Sequence, residues 1–287
     1  MIFTLILMVL MVINVEAISI GVSKGITICM TNVVPSLLVF MIMSDIVINL
    51  NTNSKIKPKW KAFMLGSICG FPVGSHICDN LYSNGEISEK ESKVLSVACN
   101  NASPAFVIGA IGNSMLGDKK LGILIYLAEI MSSAIFVMRI KNVSNFKDIE
   151  KEQSLIKILT ESIEKTVAAI FRISIIICFF SGILELVSRH TNNSVYLIAS
   201  SLLEISNGAI AGSALFEKSP VFSIAFLAFT CGFGGLCAHM QIITAQKSIK
   251  VRYLSVLFQK LIQGLLTCVL AVVGYKVLNM LEIYFAL

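Results

Sequence analysis

Apolar stretches of bilayer-spanning length recur from one end of this chain to the other, and most are interrupted by residues that lipid tolerates badly. A helix needs about 17 to 25 predominantly apolar residues to cross the hydrocarbon core. Segments of that kind fall at 1–20, 26–50, 62–80, 94–116, 121–140, 166–187, 195–216, 220–246 and 253–275 of the 287 residues. Charged residues make up 14% of the chain and the mean hydropathy is +0.83, against about 25% charged in a soluble domain. The pattern predicts an all-α, polytopic membrane protein with the lipid bilayer as its partner, built as one membrane domain over 1–287.

No Lys or Arg precedes the N-terminal apolar run, so 1–20 is expected to be a retained first helix, because a cleaved signal carries a basic n-region. The eight cysteines lie in or beside apolar segments and read as small buried side chains, not a disulfide framework. Cys69, His76, Cys78, Cys231, Cys237 and His239 are of types that suit zinc, but their spacing matches no compact ligand pattern, and no metal is expected. No phosphate-binding loop, nucleophile elbow, zincin pattern or dinucleotide fingerprint occurs, so no enzyme, ATP-driven pump or cofactor is expected. The net charge of +6 reports basic residues flanking spans, and not nucleic-acid binding. Residues 146–165 mix charged and apolar positions and are expected to form an amphipathic connector.

The interruptions carry the chemistry. They are "TNVVPS" (31–36), "GFPVG" (70–74), "NNASP" (100–104), "EISNG" (204–208) and "CGFGG" (231–235). One proline or glycine in a membrane helix is often a packing kink. Five breaks that carry Asn, Ser, His and Glu point instead to an interior polar site, because irregular backbone survives at membrane depth only where protein or a cavity surrounds it. Half-helix N-termini facing such a cavity favour an anion. The candidate binding residues are therefore Asn32 and Ser36; Gly70, Phe71, Pro72, Gly74 and His76; Asn100, Asn101, Ser103 and Pro104; Glu204 and Asn207; and Gly232, Gly234, His239 and Gln241. Asp45, Asp79 and Lys260 lie near segment ends and are expected to be interfacial, while Glu129 is a further ionisable residue inside an apolar segment. Asn101→Leu is expected to remove transport while sparing insertion.

Cys-Gly-Phe occurs at 69–71 and again at 231–233. Aligning the two copies predicts two four-element units, 1–116 and 154–287, joined by 117–153. Letting 26–50, 94–116 and 195–216 enter and return as hairpins places 14 basic residues on one side and 7 on the other. The repeats are then inverted, with the first Cys-Gly-Phe segment running outward and the second inward.

The blocks "NVVPSLLVF" (32–40), "GFPVGSHICDNLYSNGEIS" (70–88), "NNASPAFVIGAIGNSMLG" (100–117) and "GGLCAHMQ" (234–241) resemble the sporulation integral membrane proteins of the YlbJ/SpoVV type, which carry the nucleoside-recognition or "Gate" domain. The resemblance implies a fold distantly similar to concentrative nucleoside transporters, a place in the outer forespore membrane of endospore-forming bacteria, and transport of a small planar anion, dipicolinic acid. Where the family is expected to have Gly-Ala-Lys, this chain has Gly74-Ser75-His76. His76 and His239 would add charge when protonated, so dipicolinate binding is expected to strengthen as pH falls through the histidine range. A nucleoside or nucleobase carrier and a non-transporting scaffold for spore assembly are the other readings.

Overall fold

The structure, a computed structural model, describes residues 2–50, 56–140 and 154–286, and every regular element among them is helical. Four stretches, Lys119–Arg139, Leu155–His190, Pro220–Ala245 and Tyr253–Leu281, are long and apolar enough to cross a membrane.

α1 (Ile2–Ile13) is followed by α2 (Val15–Ile28), one π-helical turn (Cys29–Val33) and α3 (Val34–Leu50). Cys29 and Val34 keep right-handed helical backbone angles, so 15–50 is a single helical run with a π-turn just ahead of Pro35. Proline removes one N–H and crowds the preceding turn, and the wider π-turn takes up the misfit. The hairpin expected at Pro35 is thereby corrected: 26–50 continues as a helix and does not turn back. α8 (Leu155–His190) is the other long helix and lies antiparallel beside α2 and α3. Lys24 Nζ pairs with Glu185 Oε2 at 2.6 Å, a Cβ on Gly25 would lie 2.8 Å from Cys178 Cα, and Cys29 Sγ lies 3.9 Å from the Ser174 carbonyl. Ser154 caps its first turn; residues 154–165 of the expected connector belong to α8 or its cap, and 146–153 lie outside the described residues.

α4 (Pro58–Cys69) and α5 (Val73–Ser83) form a helical hairpin. Pro58 starts it, where a missing N–H costs nothing. At the tip, Gly70 adopts φ +83, a region that favours glycine. The arms then press together: a Cβ on Gly66 would lie 3.0 Å from Gly74 Cα, and one on either glycine would collide with the Cys99 carbonyl. Arms of 12 and 11 residues are about 17–18 Å long, short of the ~30 Å hydrocarbon core. The segment 62–80, expected to cross, turns back instead.

α6 (Glu89–Ala98) opens on a capping box in which Ser88 N–H donates to Glu91 Oε2 at 2.8 Å and Glu91 N–H donates to Ser88 Oγ at 3.3 Å. After an irregular interval the chain continues as a π-helical stretch, Ala105–Met115, and returns as α7 (Lys119–Arg139). α7 meets both halves in reverse order, Gly122 against Gly112 and Ser133 bonded to the Ala98 carbonyl. Hence 89–115 is one interrupted helix that keeps its direction, and the hairpin expected at 94–116 is also corrected.

α9 (Asn193–Leu203) and α10 (Ile205–Ser213) do form the hairpin expected at 195–216; a Cβ on Gly208 would lie 2.9 Å from Ser201 Cα. α11 (Pro220–Phe233) and α12 (Gly235–Ala245) are two parts of an interrupted helix, broken at Gly234 with φ +79. α13 (Tyr253–Ala286) runs back along them, with Gly264 against Phe233 and Tyr253 near His239. The order long helix, hairpin, interrupted helix, plain helix thus occurs twice. The two Cys-Gly-Phe copies occupy unlike elements, one at a hairpin tip and one ending α11, and 119–139 takes the fourth place of the first series.

Candidate functional site: a cavity between two hairpin tips

Both hairpin tips open on one cavity of about 480 Å³. Phe71 comes from the first tip, and Glu204, Ile205 and Ser206 from the second. Ala102, Ser103, Ala105, Phe106 and Ala110 come from the α6 interruption and the π-helical stretch, and Cys237, Ala238 and Gln241 from α12. Ile173 and Ile177 of α8, with Thr31, Val33, Pro35 and Leu37 of the first long helix, complete the wall. Such a volume lies within the range of small-molecule sites. Among the described residues, Glu204 is the carboxylate of this lining, and no Lys, Arg or His belongs to it.

Local sequence explains how these groups are held. Glu204 breaks the α9–α10 hairpin and caps α10, accepting from Ser206 N at 3.0 Å, Asn207 N at 2.8 Å and Asn207 Nδ2 at 2.8 Å. Ser103 Oγ accepts from Phe106 N at 3.2 Å at the start of the π-helical stretch. Ala102 N–H is taken by Glu129 Oε1 of α7 at 2.7 Å. At α10 and at the interruption after α6 a carboxylate of the chain itself, Glu204 or Glu129, meets backbone donors, whereas α5 and α12 begin with no side-chain cap, and the first turn of α12 lines the cavity.

Behind Phe71 lies a buried polar cluster. Lys260, fully buried on α13, donates to the Asn100 carbonyl and to Gln263 Oε1 at 3.1 Å, and its Nζ stands 5.0 Å from the Phe71 ring centroid. Gln263 Nε2 donates to Asn101 Oδ1 at 2.7 Å, and Asn101 Nδ2 reaches Ser133 Oγ at 3.2 Å and Ser67 Oγ at 3.4 Å. Ser132 and Thr267 hydroxyls join α7 to α13 at 2.8 Å. Glu129 Oε2 is buried without a hydrogen-bond partner.

Of the candidate residues, Phe71, Ser103, Glu204 and Gln241 line the cavity. Gly70 packs on Ser103, and Gly234 lies against the Phe71 ring, so the two Cys-Gly-Phe segments meet there. Asn207 orients Glu204. The others stand back from the wall. Pro72 shapes the first tip, Gly74 packs on Cys99, and Pro104 begins the π-helical stretch. Asn100 staples the hairpin, accepting from Ser75 N at 3.3 Å and donating to Ser96 O at 2.6 Å. Gly232 packs on Thr267 of α13. His76 Nε2 lies 3.3 Å from Asp45 Oδ1, and His239 Nε2 lies 2.9 Å from the Phe233 carbonyl; neither histidine reaches the cavity. The side chains of Asn32 and Ser36 lie outside the described residues.

Asp45, Asp79 and Lys260, expected at the interface, are 1%, 6% and 0% exposed. Asp79 is buried because it holds the connection after α12, accepting from Ser248 N at 2.9 Å. Lys260, Gln263 and Thr267 share one helical face at i, i+3 and i+7 within an apolar segment, and Glu129, Ser132 and Ser133 do the same at i, i+3 and i+4. Those polar stripes were the legible signal. Compared with protein-family models, with curated proteins and with solved structures, the chain finds no match in any of the three.

Proposed function

We propose that this chain is a membrane carrier that binds a small planar molecule between its two hairpin tips. The observation that carries the reading is the convergence of both tips, the α6 interruption and α12 on one cavity of about 480 Å³. Many secondary carriers build their sites from paired discontinuous helices at mid-membrane. The reading includes two inverted units, 15–139 and 155–286, each with the same order of elements and led by one of two antiparallel long helices. With hairpins at 58–83 and 193–213 and the remaining stretches crossing, 11 Lys and Arg of the described residues fall on the side where α3 ends and 6 on the other, leaving Arg172 and Lys260 within helices. The side with eleven is then cytoplasmic.

The lining discriminates between substrates. Dipicolinate, which the family resemblance suggests together with an outer forespore membrane, would bring two carboxylates to a wall that, among the described residues, holds Glu204 and no basic side chain. An unpaired charge in such a place is costly. An uncharged planar solute with hydrogen-bond donors, a nucleoside or nucleobase, suits Glu204, Ser103, Gln241 and the Phe71 and Phe106 rings better, and is the substrate class we favour. Proteoliposomes offered uridine, a nucleobase and dipicolinate in parallel test this. Uptake of the uncharged solutes ahead of dipicolinate, and its loss in Glu204→Gln, is expected. A preference for dipicolinate would restore the anion reading, and a folded protein that moves none of them would favour a scaffold.

A further inference from the structure

α6 ends at Ala98 and regular helical bonding resumes only with the stretch that starts at Ala105. The last carbonyls of α6 are already taken, Leu95 O by Cys99 N, Ser96 O by Ser75 Oγ and Asn100 Nδ2, Val97 O by Asn100 N and Ala98 O by Ser133 Oγ, and the Asn100 carbonyl in the interval after them requires a donor from another element. Lys260 supplies one from α13. Its ammonium bonds the Asn100 carbonyl and Gln263 Oε1 and faces the Phe71 ring. Among the described residues no carboxylate lies within the 4.0 Å of an ion pair with it. Two amide oxygens and an aromatic face hold the ammonium by ion–dipole and cation–π contact, not as a salt bridge. Gln263 is set for this role, since its Nε2 is engaged by Asn101 Oδ1 and its Oε1 is thereby turned to the ammonium. The balancing charge, Glu129, enters the same interruption two residues further on, at Ala102 N.

We propose that Lys260 is a tethered cation: its ammonium fills the place that a free monovalent metal ion such as Na⁺ would take at the Asn100 carbonyl in the interruption after α6. The tip of the first hairpin is then held over the interruption with no inorganic ion bound. The consequence for transport, independence from a Na⁺ gradient, rests on the carrier reading above; the consequence for stability does not.

Thermal unfolding of the purified full chain in choline, sodium and potassium chloride at equal ionic strength tests the proposal directly. The wild-type midpoint is expected to be the same in all three. Lys260→Ala is expected to lower the midpoint in choline by roughly 3–10 °C, with much of the loss recovered by Na⁺, K⁺ or methylammonium. Lys260→Met, which fills the space without the charge, should be lowered and not recovered. A wild-type midpoint raised specifically by Na⁺, a Lys260→Met as stable as wild type, or a Lys260→Ala whose loss no small cation recovers would each overturn it. Should Lys260→Ala not fold, the wild-type series and Lys260→Met still decide. In proteoliposomes, Na⁺-driven wild-type uptake also overturns the tethered cation, whereas absence of any uptake alongside the expected stability results counts against the carrier reading alone.

Discussion

The first hairpin, 58–83, is stitched into its surroundings by side chains, whereas the second, 193–213, keeps most of its polar bonding to itself. In the first, Ser75 Oγ donates to Ser96 O at 2.8 Å, Tyr126 OH to Ser67 O at 3.1 Å, and Gln246 Nε2 to Ser75 O at 2.9 Å, while Asp79 fixes Ser248. Its inner glycines lie against backbone of α6. In the second, Glu204 and Asn207 bond within the tip, and Ser223 Oγ to Gly212 O at 2.8 Å is the hydrogen bond to a neighbour among the described residues. Hairpins of similar length are thus held differently, the first by side-chain hydrogen bonds and the second mainly by close packing of Gly208 and Gly212 on α11. Parts that open locally are drawn from the less stable regions of a fold, so hydrogen exchange is expected to be faster in the second hairpin than in the first.

Four substitutions break or sharpen that contrast. The largest effect is expected at Gly74→Val, which forces a branched side chain onto the Cys99 carbonyl; overpacking against backbone should cost about 3 kcal/mol or more and show as lost folded yield in detergent. Asn101→Leu comes next. Asn101 is buried in a network away from the cavity wall, so besides the lost transport expected with insertion spared, a stability loss of about 1–3 kcal/mol is expected, read from the unfolding midpoint. Glu204→Ala removes the cap of α10 and should cost about 1 kcal/mol locally. Hydrogen exchange in 193–213 should rise while the first hairpin is unchanged, and equal acceleration in both would dissolve the comparison. The smallest effect is expected at Gly109→Ala in the π-helical stretch, where an added Cβ meets nothing within 4 Å; its midpoint should stay within about 0.5 kcal/mol of wild type.

Much of this was legible in the chain. Each interruption identified by Pro, Gly and Asn is a place where the α-helix gives way to a π-turn or breaks, and Phe71, Ser103, Glu204 and Gln241, named from those interruptions, share a cavity wall. The direction of the chain after each break was not legible. Pro35 looked like a turn and is absorbed by a π-turn inside a continuing helix; "GFPVG" looked like a kink and reverses the chain. Matching by tripeptide paired a hairpin tip with a helix end, since three residues report local backbone needs and not the element that carries them.

Hydropathy by itself pointed to a helical chain with stretches long and apolar enough to cross a membrane, because in lipid each backbone polar group must be satisfied within its own helix or a closed barrel. Local residue chemistry determined where helices start, as at Ser88, Pro58 and Pro220, because caps act within one turn. Only tertiary structure decided which breaks turn back, because that depends on whether the two arms find each other, as Gly66 and Gly74 do, or find a returning helix, as α6 finds α7. Only tertiary structure decided, too, that Lys260 is interior. Position in a segment gives depth along one helix, while burial of an ammonium requires acceptors from others, and those come from Asn100 across 160 residues of sequence.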